Sequence, residues 1–243
     1  MPKKRGIKNK TMKRVAIIQP GYLPWLGFFE LMASSDAFVI YDDVQFDKNG
    51  WRNRNRIKTP HGIQWLSVPV LTRGRNKPRN NEITIKDLNW RKKHLKAIFQ
   101  NYRKARYFDE VYPMIEKSLQ VDSDRLIDFD MSLVQGIADY MKIRTRIMLS
   151  SDLGIEGEDR AMRLINVCKH LGATHYYNGA AGKELYRKED FKEYGITLEF
   201  QEYKHPAYSQ LYGDFVPYLS VVDLIFNEGG GSLDIILSGR NVI

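Results

Sequence analysis

Two short, continuously apolar runs near the start of the chain constrain its fold more than any other feature. Residues 15–18 (VAII) and 37–41 (AFVIY) each have the composition of a strand that is buried on both faces. Between them, a loop rich in Gly and Pro leads into residues 26–33, which are typical of a short helix. A strand, a helix and a second strand in succession predict a βαβ unit, and therefore a parallel sheet covered on both faces.

The rest of the chain continues this alternation. We expect residues 45–62 to be a polar loop and residues 89–141 to be mainly helical. Later strands and helices are expected, in alternation, at 146–149, 158–171, 175–177, 186–194, 196–203 and 216–226. The predicted fold class is therefore α/β, with a mostly parallel, Rossmann-like three-layer arrangement and a helical portion around residues 89–141.

Length and composition bound the domain organisation. The chain has 243 residues, 43% of them hydrophobic, which is enough for one large α/β core and excludes global disorder. Residues 1–13 are basic and poor in apolar groups, so we expect a disordered tail. Residues 14–243 are expected to form a single domain, with 89–141 as a candidate helical subdomain.

Several classes of protein are excluded by what the sequence lacks. A single cysteine excludes a disulfide scaffold, and five scattered histidines without HExxH spacing argue against a zinc enzyme. The sequence therefore predicts no metal ligands. No apolar run reaches the roughly 18 residues of a membrane span, and no secretory signal follows the basic start. We expect a cytoplasmic protein.

The formal net charge of +9 is unevenly distributed. Residues 48–106 are strongly basic, with Glu82 and Asp87 as their acids, and they include Trp51, Trp65 and Trp90. A basic surface interleaved with aromatic rings suits a nucleotide-linked or otherwise phosphorylated small molecule, with nucleic acid as a less favoured partner. An ordinary solvated face is the alternative.

The residues that follow the first two predicted strands are candidates for a site. Gln19, Tyr22 and Trp25 lie in the loop after the first strand, and Asp42, Asp43 and Gln45 follow the second. Carboxyl ends of neighbouring parallel strands lie at one edge, where open α/β sheets bind ligands. We expect Gln19, Asp42 and Asp43 to be catalytic, or one aspartate to hold Mg²⁺ through water. The alternative is that one aspartate caps a turn and the other pairs with an arginine.

A second candidate is the Arg/Asn ladder at residues 52–58. In an extended segment the cations Arg52, Arg54, Arg56 and Lys58 would share one face, and Asn53 and Asn55 the other. Cations suit a diphosphate, and amides suit sugar hydroxyls or a peptide group. The predicted binding residues are Tyr22, Trp25, Gln45, Asn53, Arg54, Asn55 and Lys58. His94, on one helix face with Trp90, is expected to stack or cap.

Several segments resemble the WbqC-like family: 18–20 (IQP) with 22–29 (YLPWLGFF), 41–45 (YDDVQ), 53–55 (NRN) with 57–58 (IK), 65–66 (WL) before 68–70 (VPV), and 220–224 (SVVDL). The resemblance runs from about residue 14 to the C-terminus. It implies a bacterial or archaeal cytoplasmic protein from gene clusters for O-antigen or related surface polysaccharides, in which a glycine transferase activity has been suggested. It assigns no catalytic residue.

Three functions remain open at this point. The first is transfer of an aminoacyl or acyl group to an amino sugar of a nucleotide-linked precursor. The second is nucleotidyl transfer with Mg²⁺ held by Asp42 or Asp43, because a distant likeness links the first loop to HIGH-type nucleotidyltransferases. In place of the two histidines of those enzymes, however, this chain has residues 25–28 (WLGF). The third is a non-catalytic protein that binds nucleic acid or carbohydrate. The cofactor is unknown, with Mg²⁺ as a candidate.

Overall fold

The computed structural model describes residues 14–72, 74 and 76–241. The predicted basic tail at residues 1–13 lies outside the described residues. The strands are β1 (Arg14–Ile18), β2 (Ala37–Ile40), β3 (Arg54–Thr59), β4 (Gly62–Ser67), β5 (Val70–Leu71), β6 (Thr84–Ile85), β7 (Arg146–Leu149), β8 (His175–Asn178) and β9 (Thr197–Phe200). The α-helices are α1 (Leu26–Ala33), α2 (Trp90–Tyr102), α3 (Phe108–Ser118), α4 (Leu126–Tyr140), α5 (Ser150–Leu153), α6 (Arg160–His170), α7 (Lys188–Lys192), α8 (Val221–Glu228) and α9 (Ser232–Ser238).

The centre of the fold is a five-stranded, all-parallel sheet in the order β7-β2-β1-β8-β9. The α/β prediction with a parallel sheet is therefore confirmed. The chain builds β2 and β7 on one side of β1, and then β8 and β9 on the other. The order thus reverses between β1 and β8, which is the position where open α/β sheets form a ligand crevice.

Alternation along the strands divides the core into two layers. On one face, Ala16, Phe38 and Tyr177 pack in a large cluster with side chains of α1, α2–α4, α8 and α9. On the other face, Val15 and Tyr176 pack with α6 and α7. The side chains of α2–α4 thus share a cluster with the sheet. The assignment of residues 14–243 to one domain with a helical subdomain stays a prediction.

One segment differs from the sequence-based expectation. The predicted loop at 45–62 contains β3, which pairs with β4 in an antiparallel hairpin. The triple glycine at residues 229–231 forms a 3₁₀ turn that continues into α9. Among the described residues, none of the helices combines the length and hydrophobicity that crossing a bilayer requires.

A buried carboxyl on α1 links this helix by hydrogen bonds to β8 and to the residue that follows β9. Glu30 is fully buried and accepts hydrogen bonds from the Tyr177 hydroxyl of β8 at 2.9 Å and from the Gln201 amide after β9 at 2.5 Å. Gln201 also donates to the Gly27 carbonyl. These bonds fix the orientation of α1, and with it the loop that precedes α1.

Tyr177→Phe tests this tie. We expect the variant to lose about 1.5–3 kcal/mol of unfolding free energy, because it removes one hydrogen bond to a buried acidic group while keeping the ring. The measurement is urea unfolding. Tyr194→Phe, at an exposed ring, is the matched control and should change stability by less than about 0.5 kcal/mol. If both variants unfold at the same urea concentration, the hydrogen bond from Tyr177 to Glu30 does not stabilise the fold.

Candidate functional site

A cavity of about 480 Å³ opens at the carboxyl end of β1. Its volume falls in the usual range for small-molecule sites, roughly 300–1,000 Å³. The walls come from β1 and the loop after it, from the segment around the start of β3, and from the loop before α8. The lining residues are Ile18, Gln19, Gly21, Pro24, Trp25, Phe28, Trp51, Arg52, Asn55, Arg56 and Tyr218.

The loop at residues 19–25 is held in place by the side chains of the hairpin segment. The buried Asn55 amide donates to the Leu23 carbonyl at 2.7 Å, and Arg52 donates to the Pro20 carbonyl at 2.7 Å. Leu23 has a positive φ of 45°, a strained conformation for a branched residue, which these bonds help to stabilise. Asn55 therefore positions the cavity wall rather than offering a free amide.

The Trp25 ring occupies space that only glycine leaves open. A Cβ on Gly27 would lie 2.3 Å from the Trp25 ring, so any other residue here would displace the indole. The ring also makes edge contacts with Tyr203 and a tilted contact with Tyr218. Trp25 is thus a fixed apolar wall of the cavity, as a rigid binding surface requires.

The charge of the cavity wall is entirely positive. Of the described residues that line it, Arg52 and Arg56 are charged and none is acidic. The Nε atoms of both guanidinium groups are buried and have no hydrogen-bond partner in the described part of the chain. A buried donor without a partner is costly, so both groups favour an anionic oxygen supplied by a ligand.

Aromatic rings extend the cavity outward. Trp51 stacks on Trp65 with ring centroids 5.2 Å apart, and both are 46% exposed. The Arg56 guanidinium lies over both rings, and that of Arg54 lies over Trp65. This Trp platform (Trp51, Trp65, Arg54 and Arg56) is continuous with the cavity, because Trp51 and Arg56 line both. Such a surface suits a nucleobase or a sugar ring.

Gln19 lies in the cavity wall, as the sequence predicted for a site residue. Its side-chain oxygen accepts a hydrogen bond from the Asn80 amide at 3.4 Å. This bond orients the Gln19 amide and directs its NH₂ group away from Asn80. Gln19 can therefore donate to a ligand carbonyl or phosphate oxygen.

Asp42 and Asp43 lie at the same edge of the sheet but are absent from the cavity lining. Asp42 is buried and accepts bonds from the Ser150 hydroxyl, from the Ser151 backbone N–H and hydroxyl, and from the Asn81 amide. Asp43 accepts from Ser150 and pairs with Arg163. In the structure they clamp β2 to the residues after β7. Their catalytic role stays a prediction.

The other predicted binding residues are placed as follows. Asn53 donates to the Val68 carbonyl, and Gln45 is exposed in a bridge with Arg79. Lys58 is buried and donates to the Gln210 side chain and to backbone carbonyls of the 213–214 loop. These three, Tyr22 and Arg54 do not line the cavity, whereas Gln19, Trp25 and Asn55 do. Their assignment as substrate-binding residues also stays a prediction.

Tyr22 turns away from the cavity into the core. Its hydroxyl lies 2.8 Å from His94 Nδ1, and its ring meets the Trp90 ring edge-on. Burial lowers the pKa of His94 to about 4, so the ring is neutral near pH 7. The imidazole is also hydrogen-bonded to the Ser67 backbone. The predicted stacking of His94 thus has a hydrogen bond as well.

One buried carboxyl of α4 has no partner. Asp130 is 1% exposed, and within the described part of the chain neither of its oxygens has a hydrogen-bond partner. Burial raises the pKa of this carboxyl, and the Arg52 charge opposes the rise. Burial thus favours the neutral, protonated form of Asp130.

Arg52, Arg56, Trp51 and Tyr218 line the cavity but were not among the predicted site residues. The alternation of arginine and asparagine at residues 52–58 had placed Arg52 and Arg56 in the Arg/Asn ladder, so the sequence did indicate them as candidates. Tyr218 comes from a distant loop and joins the cavity because its carbonyl accepts from Arg56 at 2.9 Å. Nothing in the local sequence indicated that contact.

Over residues 14–72, 74 and 76–241, no three His, Cys, Asp or Glu side chains come together as metal ligands. Mg²⁺ commonly binds through one or two carboxylates and the phosphates of a substrate. A role for Mg²⁺ therefore stays a prediction.

Asp43→Ala tests the clamp between β2 and α6. We expect a loss of about 1.5–3 kcal/mol in unfolding free energy, because the mostly buried Arg163 would keep its charge without its partner. Asp190→Ala is the matched control, since its pair with Arg187 is on the exposed surface and is worth less than about 1 kcal/mol. If chemical denaturation shows the same loss for both variants, Asp43 is not a structural clamp.

Asp130→Asn tests the neutral buried acid. Because burial raises the pKa of Asp130, the folded wild type holds the proton to higher pH than the unfolded chain, which loses it above about pH 4; wild-type stability therefore falls relative to the variant as pH rises. The difference in unfolding free energy between Asp130→Asn and wild type should increase from pH 5 to pH 7 by up to about 1.4 kcal/mol per pH unit. Urea unfolding at pH 5, 6 and 7 measures it. The exposed Asp109→Asn control should show a nearly constant difference, and a constant difference for Asp130→Asn would contradict the assignment.

Comparison with known proteins supports the resemblance that the motifs indicated. A relative from Mycobacterium tuberculosis (strain ATCC 25618 / H37Rv), the uncharacterized protein Rv1507c, is 37% identical over 225 residues, covering 92% of this chain and 97% of the relative. No solved structure matches the chain. The model of the WbqC-like protein family matches residues 19–235, which include every residue of the cavity wall except Ile18. The chain therefore belongs to the WbqC-like protein family.

Proposed function

We propose that the protein is a transferase that acts on a nucleotide-linked or similarly phosphorylated sugar. The observation that carries the proposal is the cavity wall, in which Arg52 and Arg56 are the charged groups and each keeps an unpartnered buried Nε–H. Two guanidinium groups suit the two phosphates of a diphosphate.

The aromatic walls suit the rest of such a ligand. Trp25 and Tyr218 line the cavity, and the Trp platform adjoins it through Trp51 and Arg56. A base or sugar ring stacked on Trp51 would keep its phosphates near Arg56, whose guanidinium is 5.2 Å from the centre of the Trp51 ring. The cavity also opens at the carboxyl end of β1, and the carboxyl ends of strands are where nucleotide-binding α/β sheets hold their ligands.

The reaction we propose is aminoacyl or acyl transfer to an amino sugar, of the glycine type, in surface polysaccharide biosynthesis. An amine nitrogen attacks the carbonyl carbon of an activated acyl donor, such as a thioester. The new C–N bond forms, the C–S bond to the leaving group breaks with its electron pair, and the amine proton passes to the leaving thiolate. We expect the Gln19 amide to donate to the carbonyl oxygen as negative charge develops there.

A second function has one specific observation in its favour. The exposed Trp51–Trp65 stack with Arg54 and Arg56 is also the kind of surface that binds carbohydrate or single-stranded nucleic acid without turnover. Nucleotidyl transfer lacks such support, because the oxygens of Asp42 and Asp43 are engaged with Ser150, Ser151, Asn81 and Arg163.

Arg56→Ala tests the proposed site. We expect it to weaken binding of a nucleoside diphosphate or nucleotide sugar by about 1.5–3 kcal/mol, the usual size of a hydrogen bond to a charged group. Titration calorimetry with UDP, dTDP, GDP and their sugars measures the effect. Arg144→Ala, an exposed arginine just before β7 and so near the amino edge of the sheet, is the control and should bind as wild type does.

Three outcomes would decide between the candidate functions. Product formation from an activated acyl donor and an amino sugar, seen by mass spectrometry, supports the transferase. Binding of oligonucleotide or oligosaccharide that requires Trp51 and gives no product supports the second function. If no nucleotide or nucleotide sugar binds to the wild type, or if Arg56→Ala binds unchanged, the phosphate assignment is wrong.

A further inference from the structure

The outer edge of strand β4 has no neighbouring strand. Among the described residues, β4 pairs with β3 alone, and five of its six positions are exposed. Its sequence, residues 62–67 (GIQWLS), contains no charged residue and no proline. Those are the residues with which proteins commonly prevent an edge strand from pairing with another chain. The edge is therefore open to a further strand.

The hydrogen bonds of β3 indicate which backbone groups of β4 point to this edge. Along an antiparallel pair, residues bonded to each other alternate with residues whose backbone groups point outward. Arg56 and Lys58 are of the outward kind. The Arg56 carbonyl accepts from the backbone N–H just before α8 at 2.9 Å, and the Lys58 N–H donates to a tyrosine hydroxyl of α2 at 3.1 Å. Their partners across the ladder, Trp65 and Ile63, therefore direct their own N–H and C=O groups to the free edge.

Ile63 and Trp65 are also accessible to a partner. Each is 46% exposed, and in the described part of the chain no residue beyond the hairpin hydrogen-bonds with the backbone of either. His94 of α2 is hydrogen-bonded to the Ser67 backbone, which ends the open stretch. This stretch thus offers two sets of backbone N–H and C=O groups in strand geometry, with two apolar side chains beside them.

A row of cations on α2 lies next to the same edge. Tyr102 of α2 contacts β3, and Asn101 contacts a β4 side chain at 3.4 Å. Successive residues of a helix point about 100° apart, so Gln100 continues this turn past β4 to the side of its free edge. Residues three, four and seven apart share one side of a helix. The exposed cations on the side of Gln100 are Lys93, Lys96 and Lys104, which we call the lysine row.

The charge around the edge selects the kind of partner. Residues 48–81 and 88–108 contain no acid, and within the described residues no member of the lysine row forms a salt bridge. A second copy of this chain would bring like charges together, which is unfavourable between paired strands. A lipid surface or a nucleic acid supplies anionic oxygens but not the regular N–H and C=O groups that pair with a strand. An acidic polypeptide supplies both.

We propose that the free edge of β4 binds an extended acidic segment of a partner protein, which adds a third strand to the hairpin. Side chains of the added strand alternate between its two faces. Those on the side of α2 contact the lysine row, and those on the other face lie beside Ile63 and Trp65. The segment therefore alternates acidic and apolar residues over about the length of β4.

The position of the edge places this partner near the cavity. The added strand lies two strand spacings, about 10 Å, from β3, which supplies Arg56 to the cavity wall. The surface is nevertheless separate from the cavity, and the inference does not depend on the proposed function.

Binding of a designed peptide tests the proposal. The probe is a fluorescein-labelled peptide of three Glu-Val repeats, and a peptide of three Lys-Val repeats is its matched control. We expect fluorescence anisotropy to show that wild type binds the Glu-Val peptide and not the Lys-Val peptide. Backbone hydrogen exchange at residues 62–67 should slow when the Glu-Val peptide is bound, because added strand pairing protects the outward N–H groups.

A proline at the edge tests the backbone pairing. Ile63→Pro removes an outward N–H but no donor of the ladder with β3, so it should abolish binding while the hairpin persists. Ile63→Ala is the control, since it keeps the N–H and should bind within about threefold of wild type. Circular dichroism verifies that both variants fold.

Reversal of the lysine row tests the charge and does not rely on the proline variant. Lys93→Glu combined with Lys104→Glu should weaken binding of the Glu-Val peptide by about tenfold or more and should allow the Lys-Val peptide to bind. Lys142→Glu combined with Lys192→Glu changes the net charge equally at two exposed positions away from α2 and should bind as wild type does.

Four results would overturn the proposal. The first is that wild type does not bind the Glu-Val peptide, including the case in which it binds a dT oligonucleotide through the lysine row instead. The second is equal binding to Ile63→Pro and Ile63→Ala, as expected if the peptide lies in the cationic cavity. The third is that the reversed lysine row does not change the preference between the peptides. The fourth is a dimer in sedimentation that Ile63→Pro dissociates, because a second copy would then occupy the edge.

Discussion

The side chain of Asn55 holds together the two parts of the molecule that form the cavity. Its amide donates to the loop after β1, and its oxygen accepts the backbone N–H of Arg56. The hairpin β3–β4 is thereby fixed against the carboxyl edge of the parallel sheet. Since Arg52 and Arg56 flank Asn55 in the chain, the same bonds set the positions of both guanidinium groups. The buried amide is a condition for the cationic wall, because an unanchored hairpin would leave the arginines in solvent.

The sheet could be predicted because the sequence patterns that determine its strands lie within short segments of the chain. Helix α1 and strand β7 have the predicted bounds, and the pairing of β1 with β2 follows from two apolar runs and a short connection. Strand β3 was missed for a physical reason. Its buried residues include Asn55 and Lys58, whose burial is stabilised by carbonyls from loops far away in sequence. From its sequence alone, a polar strand of this kind is predicted to be a loop, because the partners that stabilise its burial are far away in the chain.

The candidate site was predicted in part for the same reason. Loop residues Gln19 and Trp25 were found because the end of a parallel strand is a general place for ligands. The choice among Arg52, Arg54 and Arg56 was not available from alternation alone, since it depends on which arginines face the loop after β1. Asp130 gave no signal at all. It lies in an ordinary amphipathic helix, and its exceptional feature is the lack of a partner in three dimensions.

Asp42 and Asp43, at the same edge of the sheet as the cavity, are engaged with partners of their own. Asp43 is neutralised by Arg163, and Asp42 is surrounded by hydroxyl, amide and backbone N–H donors. Asp47 acts electrostatically on Arg52 but does not line the cavity, and none of the described lining residues is acidic. Arg52 and Arg56 therefore set the sign of the charge in a partly enclosed space, where electrostatic attraction is stronger than in water. A negative ligand is attracted by both guanidinium groups together.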